Sequence, residues 1–292
     1  MPARTPPEIA KLAVATGEKK AHQRWDKTIV SGFLAGAYIA FGGLVAVSVS
    51  SGLDPATWGT LPTLFTGAAF TLGLVLVLLA GSDLLTGNLA LVPMSALAGR
   101  IGVAAVLRNL GLVLVGNVLG ALFVAYFLAH LTGVIGTAET EASSAALMYE
   151  RLAGIAEAKG THESPAEIFW RGVGCNWLVY LGVWLSLAAE DVGGKILAIF
   201  LPIMAFVAMG FDHVVANMFF LPAAIFSGVP GLGWDDTLRN WFFAGVGNAA
   251  GAIVFVATAY WYLYLRDSPE DGPVADATGA APAPAAASRR RR

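Results

Sequence analysis

The stretch Gly210-Phe211-Asp212-His213-Val214-Val215-Ala216-Asn217-Met218-Phe219-Phe220-Leu221-Pro222 sets a polar step, Asp212-His213, between two apolar runs, Lys195 to Met209 and Val214 to Phe226. Neither run reaches the roughly 20 residues that cross a bilayer, but together they do. The pattern predicts one membrane span broken in its middle, with a histidine at the break. Broken backbone at membrane depth is tolerated only where it is packed in protein or lines a cavity. Paired interrupted helices of this kind point to a transport site.

The composition agrees with a membrane setting. The 292 residues are 57% hydrophobic and only 13% charged, about half the charged share of an average soluble domain. With a mean hydropathy of +0.67, this reads as an all-α polytopic membrane protein rather than a soluble enzyme. The one cysteine, Cys175, lies in an apolar run, which excludes a disulfide framework and a cysteine-based metal site. Residues 1–27 lack the apolar core of a cleavable signal.

Working outward, residues 6–25 read as a basic amphipathic helix that starts at Pro6-Pro7-Glu8, with Ile9, Leu12, Ala13, Thr16 and Ala21 as its apolar stripe. Six spans follow, at about 28–50, 61–97, 101–131, 166–189, 195–226 and 238–265. The second is too long and too interrupted for one simple helix. The loop 132–165 has room for a short surface helix. With the N-terminus inside, fourteen Lys and Arg fall on the cytoplasmic side, the four tail arginines among them. Only Arg151, Lys159, Arg171 and Arg239 fall outside, so the positive-inside rule places both termini in the cytoplasm. The expected organisation is a cytoplasmic N-terminal helix (1–27), a transmembrane domain (28–266) and a disordered cytoplasmic tail (267–292) rich in Pro, Ala and Gly.

The break has a twin. Gly81-Ser82-Asp83-Leu84-Leu85-Thr86-Gly87-Asn88, followed by Pro93, repeats the Gly, Asp, Asn and Pro of residues 210–222 at an offset of 129, Gly210 against Gly81. Gly116-Asn117-Val118-Leu119-Gly120-Ala121 and Gly247-Asn248-Ala249-Ala250-Gly251-Ala252 match at an offset of 131. The repeat unit is three spans, about 28–131 and 166–266. Three is odd, so the halves enter the membrane from opposite sides as an inverted repeat, and the two breaks face each other near the midplane.

Few residues at this depth carry chemistry. His213 is the one histidine at membrane depth, His130 lying at the end of the third span; it either titrates in a pathway or ties up free backbone groups at the break. Thr86 and Asn176 are its expected hydrogen-bonding neighbours, or else helix–helix contacts. Asp83 and Asp212 stand at matched positions, which suits capping of half-helix N-termini, and Asn88 and Asn217 are expected to satisfy loose backbone groups there. Phe70, Leu74, Leu84, Leu85, Val179 and Phe206 lie near the breaks and form either apolar rings closing a pore or ordinary packing. No Walker, dinucleotide or HExxH pattern is present. Nothing in the chain points to a cofactor, a metal or a nucleic acid.

The His213 stretch resembles the fifth-span signature of the formate/nitrite transporter family. The Leu84-Leu85-Thr86-Gly87-Asn88 break, the Asn176-to-Trp184 stretch and Gly247-Asn248 resemble it too, and the likeness runs from about residue 6 to 266. It implies an aquaporin-like fold of six spans per protomer and a homopentamer with one pore in each protomer. It implies His213 as the central pore histidine, with Thr86 in the loop that breaks span two. The six apolar residues near the breaks become two constrictions, and Lys159 a basic residue of the vestibule. Leu85 stands where some members carry phenylalanine, and Asp83 and Asp212 where many carry glutamate.

The cargo so implied is a small weak-acid anion, formate first, with nitrite and hydrosulfide as alternatives, moving with a proton through a bacterial inner membrane. A bare anion in an apolar ring costs several kcal/mol. Protonating a carboxylic acid of pKa roughly 4 at pH 7 costs about 4 kcal/mol. The expected route is therefore neutral at the constrictions. An anion channel that never protonates its cargo is the rival within the class, and a membrane-embedded enzyme or scaffold the rival outside it.

Overall fold

The computed structural model describes residues 3–267; the expected tail lies outside them apart from Asp267. The chain runs α1 (Pro6–Ala21), α2 (Trp25–Ser50), α3 (Pro55–Trp58), α4 (Leu61–Ala80), α5 (Leu85–Leu97) and α6 (Val103–Phe123). It continues through α7 (Ser144–Glu157), α8 (Pro165–Ala188), α9 (Val192–Ala208), α10 (Val214–Phe226), α11 (Trp234–Ala252) and α12 (Ala259–Tyr264). Wider, π-helical turns extend α6 over Val124–His130 and join α11 to α12 over Ile253–Thr258. Among the described residues, four helical runs are long and apolar enough to cross a membrane: Trp25–Ser50, Leu61–Ala80, Val103–His130 and Trp234–Tyr264. The shorter apolar helices α5, α9 and α10 flank the two interruptions, which fall where the sequence predicts them.

Each interruption opens on a glycine. Gly81 (φ 82°) and Gly210 (φ 71°) adopt the left-handed conformation that ends α4 and α9, a conformation costly for any residue with a Cβ. The chain then runs extended through Leu84 and His213 before α5 and α10 begin.

Small residues let the helices touch backbone to backbone. A Cβ on Gly120 would stand 1.9 Å from the Phe33 carbonyl oxygen, and one on Gly251 would stand 2.3 Å from that of Val173. The first contact joins α6 to α2 and the second joins α11 to α8. In lipid, where burial of apolar surface gives no net drive, such close packing is a main source of association. The same residues do the same work in each half, as an internal repeat requires.

α1 is docked rather than lying free. It buries Ile9, Ala10, Ala13, Val14, Gly17 and Ala21, whereas Leu12 and Thr16 of the expected stripe are only partly covered. Small residues face α5 because the helices meet closely: Ser95 Oγ donates to the Val14 carbonyl at 2.7 Å. α7 is its counterpart, packing Met148, Leu152 and Ala156 inward, with α10 among its neighbours.

Candidate pore site

The two breaks meet at one hydrogen bond. Thr86, in the first turn of α5, lies with Oγ1 at 2.8 Å from Nε2 of His213, the residue that caps α10. His213 Nδ1 accepts from the Ala216 backbone N–H at 3.0 Å. A backbone N–H can only donate, so Nδ1 holds a lone pair and the ring proton sits on Nε2. The imidazole is therefore neutral and donates to Thr86 Oγ1. The Thr86 hydroxyl hydrogen is left without an acceptor among the described residues. Both side chains are buried, at 0% and 2% exposure.

Asn176, expected beside His213, reaches the breaks through backbone instead. Its Nδ2 donates to the carbonyls of Thr86 (3.2 Å) and Asn248 (2.9 Å). Its Oδ1 is buried without a partner.

Two matched polar frameworks hold the breaks. In the first, Asn117 Oδ1 accepts from Leu85 N, and Asn117 Nδ2 donates to the carbonyls of Gly32 and Asp83. In the second, Asn248 Oδ1 accepts from Val214 N, and Asn248 Nδ2 donates to the carbonyls of Gly172 and Asp212. Asn88 Nδ2 donates to Asp83 and Asn109; Asn217 Nδ2 donates to Asp212 and Asn240. Lys20 Nζ sits 2.5 Å from Asp83 Oδ1, and Lys159 Nζ sits 2.9 Å from Asp212 Oδ1.

This arrangement corrects the expected capping role of Asp83 and Asp212. The cap positions are Leu84, which makes no side-chain cap, and His213. The first helical amides go to Asn117 and Asn248 on neighbouring helices, and the two carboxylates turn to lysines. Sequence reading missed Lys20, Asn109 and Asn240, and it quoted Asn117 and Asn248 without giving them a task.

The expected apolar residues are all buried: Phe70, Leu74, Leu84, Leu85, Val179 and Phe206 are each at most 7% exposed. Phe70 and Phe206 meet edge to face at 5.9 Å between ring centres, and the Phe206 ring centre lies 5.8 Å from that of His213. These three residues also line a cavity of about 300 Å³ whose walls include Arg151, Lys159, Glu163 and Arg171. Leu74, Leu84, Leu85 and Val179 lie outside it.

Glu163, just before α8, is the unusual acid of that cavity. Burial, then the Asp212 carboxylate beside it, push its pKa up to about 7, against the pull of Lys159 and Arg171. Arg171 Nη1 donates to Glu163 Oε1. The remaining oxygens, Glu163 Oε2 and Asp212 Oδ2, are both buried and find no other donor among the described residues. A proton on Glu163, donated to Asp212, satisfies both. Because the folded protein favours protonated Glu163, the stability this group contributes is complete below its ordinary pKa of 4.5 and is lost as pH rises through about 7. Glu163→Gln is expected to flatten the decline in melting temperature between pH 5 and 8, as thermal unfolding in detergent would record. An unchanged pH profile would refute the assignment.

The sequence matches the formate/nitrite transporter family over residues 7–262. A probable formate transporter of Methanothermobacter thermautotrophicus is 44% identical over 271 residues, covering 90% of this chain and 98% of the relative. Among solved structures, an FNT family ion channel superposes with a TM-score of 0.79 at 28% identity, covering 88% of this chain and 98% of the other. A pentameric formate channel with formate bound superposes with a TM-score of 0.71 at 26% identity, covering 83% and 98%. With the broken helices, the Thr86–His213 contact and these likenesses in hand, the chain belongs to the formate/nitrite transporter family.

Proposed function

We propose that this protein carries formate across a membrane, with nitrite as the alternative cargo, and that the anion passes the Thr86–His213 pair together with a proton. The observation that carries this reading is a lone polar pair, buried between apolar side chains, at the foot of a cavity lined by cations. An anion reaching the pair meets the unassigned hydroxyl of Thr86, and gains the Nε2–H of His213 as a second donor by displacing its bond to Thr86 Oγ1. Beyond it the way is apolar, and Leu84 and Leu85 favour the neutral acid over the anion.

The hydrogen bonds constrain the source of the proton. His213 cannot give up the Nε2 proton without gaining one at Nδ1, and Nδ1 caps α10. The ring therefore acts by orienting and stabilising the anion, while the proton comes from the vestibule. In this reading six spans cross the membrane, both termini are cytoplasmic and the cavity opens outward. The likeness to a pentameric channel and the exposed apolar helix faces support a homopentamer in the bilayer of a bacterial inner membrane. Thr86 and Asn176 line the pathway with His213, and the six apolar residues form its constrictions.

Purified protein in liposomes is expected to take up radiolabelled formate faster as external pH falls, without net current. Unlabelled nitrite and hydrosulfide, added in competition, rank the cargoes. Absence of uptake at every pH would favour a membrane enzyme or scaffold, and a sustained current would favour an anion channel.

A further inference from the structure

Three cations line the cavity, and two of them face carboxylates. Lys159 Nζ lies 2.9 Å from Asp212, and Arg171 pairs with Glu163. Arg151 differs. Its Nε donates to Ser50 Oγ at 2.9 Å and its Nη2 to Thr66 Oγ1 at 3.0 Å, both neutral groups. Among the described residues no carboxylate pairs with it.

The two hydroxyls are set for this task. Ser50 donates to the Ala46 carbonyl at 2.8 Å and Thr66 to the Pro62 carbonyl at 2.7 Å. Each hydroxyl therefore spends its hydrogen on its own helix and turns a lone pair to the guanidinium. An arginine of α7 is thus fixed by α2 and α4 through Nε and Nη2, with Nη1 left without an acceptor among the described residues. Burial weakens its hold on its proton, and no carboxylate offsets that effect. Arg151 is only half-buried and lines the cavity, so its Nη1 stays open to a group from outside the fold.

We infer that Arg151 is the capture site for the arriving anion, and that its charge, rather than that of Lys159, gives the vestibule its attraction. This rests on the reading of the cavity as the pore's vestibule. The ligand class is a small planar oxyanion, a carboxylate or nitrite, whose two oxygens suit the parallel N–H groups of a guanidinium. Lys159, bound to Asp212 and to the carbonyls of Gly210 and Phe211, serves instead to hold the second break.

The test is formate uptake from the cavity side of oriented proteoliposomes. Arg151→Gln is expected to raise KM about tenfold with little change in maximal rate. It is also expected to flatten the rise of KM with salt that the natural protein shows. Arg151→Lys keeps the charge and loses the two-point hold, and its KM is expected to stay within about threefold of the natural value and to climb with salt. Either of two results would overturn the inference: a natural KM in Arg151→Gln, or a KM in Arg151→Lys that is raised tenfold and indifferent to salt. If Arg151→Gln does not assemble, the salt response of Arg151→Lys decides alone. A natural protein that moves no formate would remove the proposed function instead, and that control is read first.

Discussion

Asn248→Leu is expected to unfold the second half of the protein at markedly lower temperature and to abolish uptake. The side chain is fully buried and makes three hydrogen bonds at once, to Val214 N, Asp212 O and Gly172 O. Leucine keeps the same branched shape, with bulkier tips, so the loss is chiefly polar. Val214 N and the Asp212 carbonyl would be left unpaired, each costing about 1–3 kcal/mol, while the Gly172 carbonyl keeps its helical partner within α8. Allowing for relaxation, a destabilisation of about 2 kcal/mol or more follows. Asn117→Leu should behave alike, since it strips Leu85 N and Asp83 O in the other half and removes the second bond to the Gly32 carbonyl. Melting followed by tryptophan fluorescence in detergent checks both. A shift below about 2 °C in either variant, the response to about 1 kcal/mol in a chain of this length, would show that the break does not depend on its asparagine.

This pair of asparagines shows how far the sequence could be read. Their match at an offset of 131 was visible, and so was the twin break at 129, because in each case the polar or small residues interrupt apolar sequence. What the asparagines bind was not visible, because it depends on which helix packs on which. The two lysines were harder still. Lys20 and Lys159 are separated by 139, and the carbonyls of Phe33 and Val173, which face Gly120 and Gly251, by 140. The first half carries α3 between α2 and α4, where the second runs from Ala188 straight to Val192. A search at 129 to 131 therefore passes over everything before that insertion. Hence α1 read as a separate amphipathic helix, although it supplies to Asp83 what the turn after α7 supplies to Asp212. The capping role given to the two aspartates fails for the same reason: their cations come from elements distant in sequence. Arg151 and Arg171 were legible only as charges on one side of a count, and Glu163 not at all, because their pairing, or lack of it, exists only once α7 and α8 are in place.

His213→Asn separates the two tasks that the histidine ring performs, and it is expected to leave the fold nearly intact while cutting formate uptake by roughly ten- to a hundredfold. One task is structural. Nδ1 caps α10 at Ala216 N, and asparagine, among the best N-cap residues, offers Oδ1 in its place, so stability should change by no more than about 1 kcal/mol. The other task belongs to the far side of the ring, where Nε2–H points to Thr86. Asparagine is too short to place a donor there once its oxygen caps the helix. A hydrogen bond to a charged group contributes about 1.5–3 kcal/mol, and each 1.36 kcal/mol is a factor of ten in rate, which gives the expected range. Thr86→Val, which leaves the imidazole N–H in place, should reduce uptake less. His213→Ala loses both tasks and should fall in stability as well as in rate, so it cannot separate them. Melting temperature and initial uptake rate, measured on the same preparations, decide the matter. If His213→Asn melts normally and transports formate at the natural rate, the ring serves only as a cap, and the polar step in the pore belongs to Thr86.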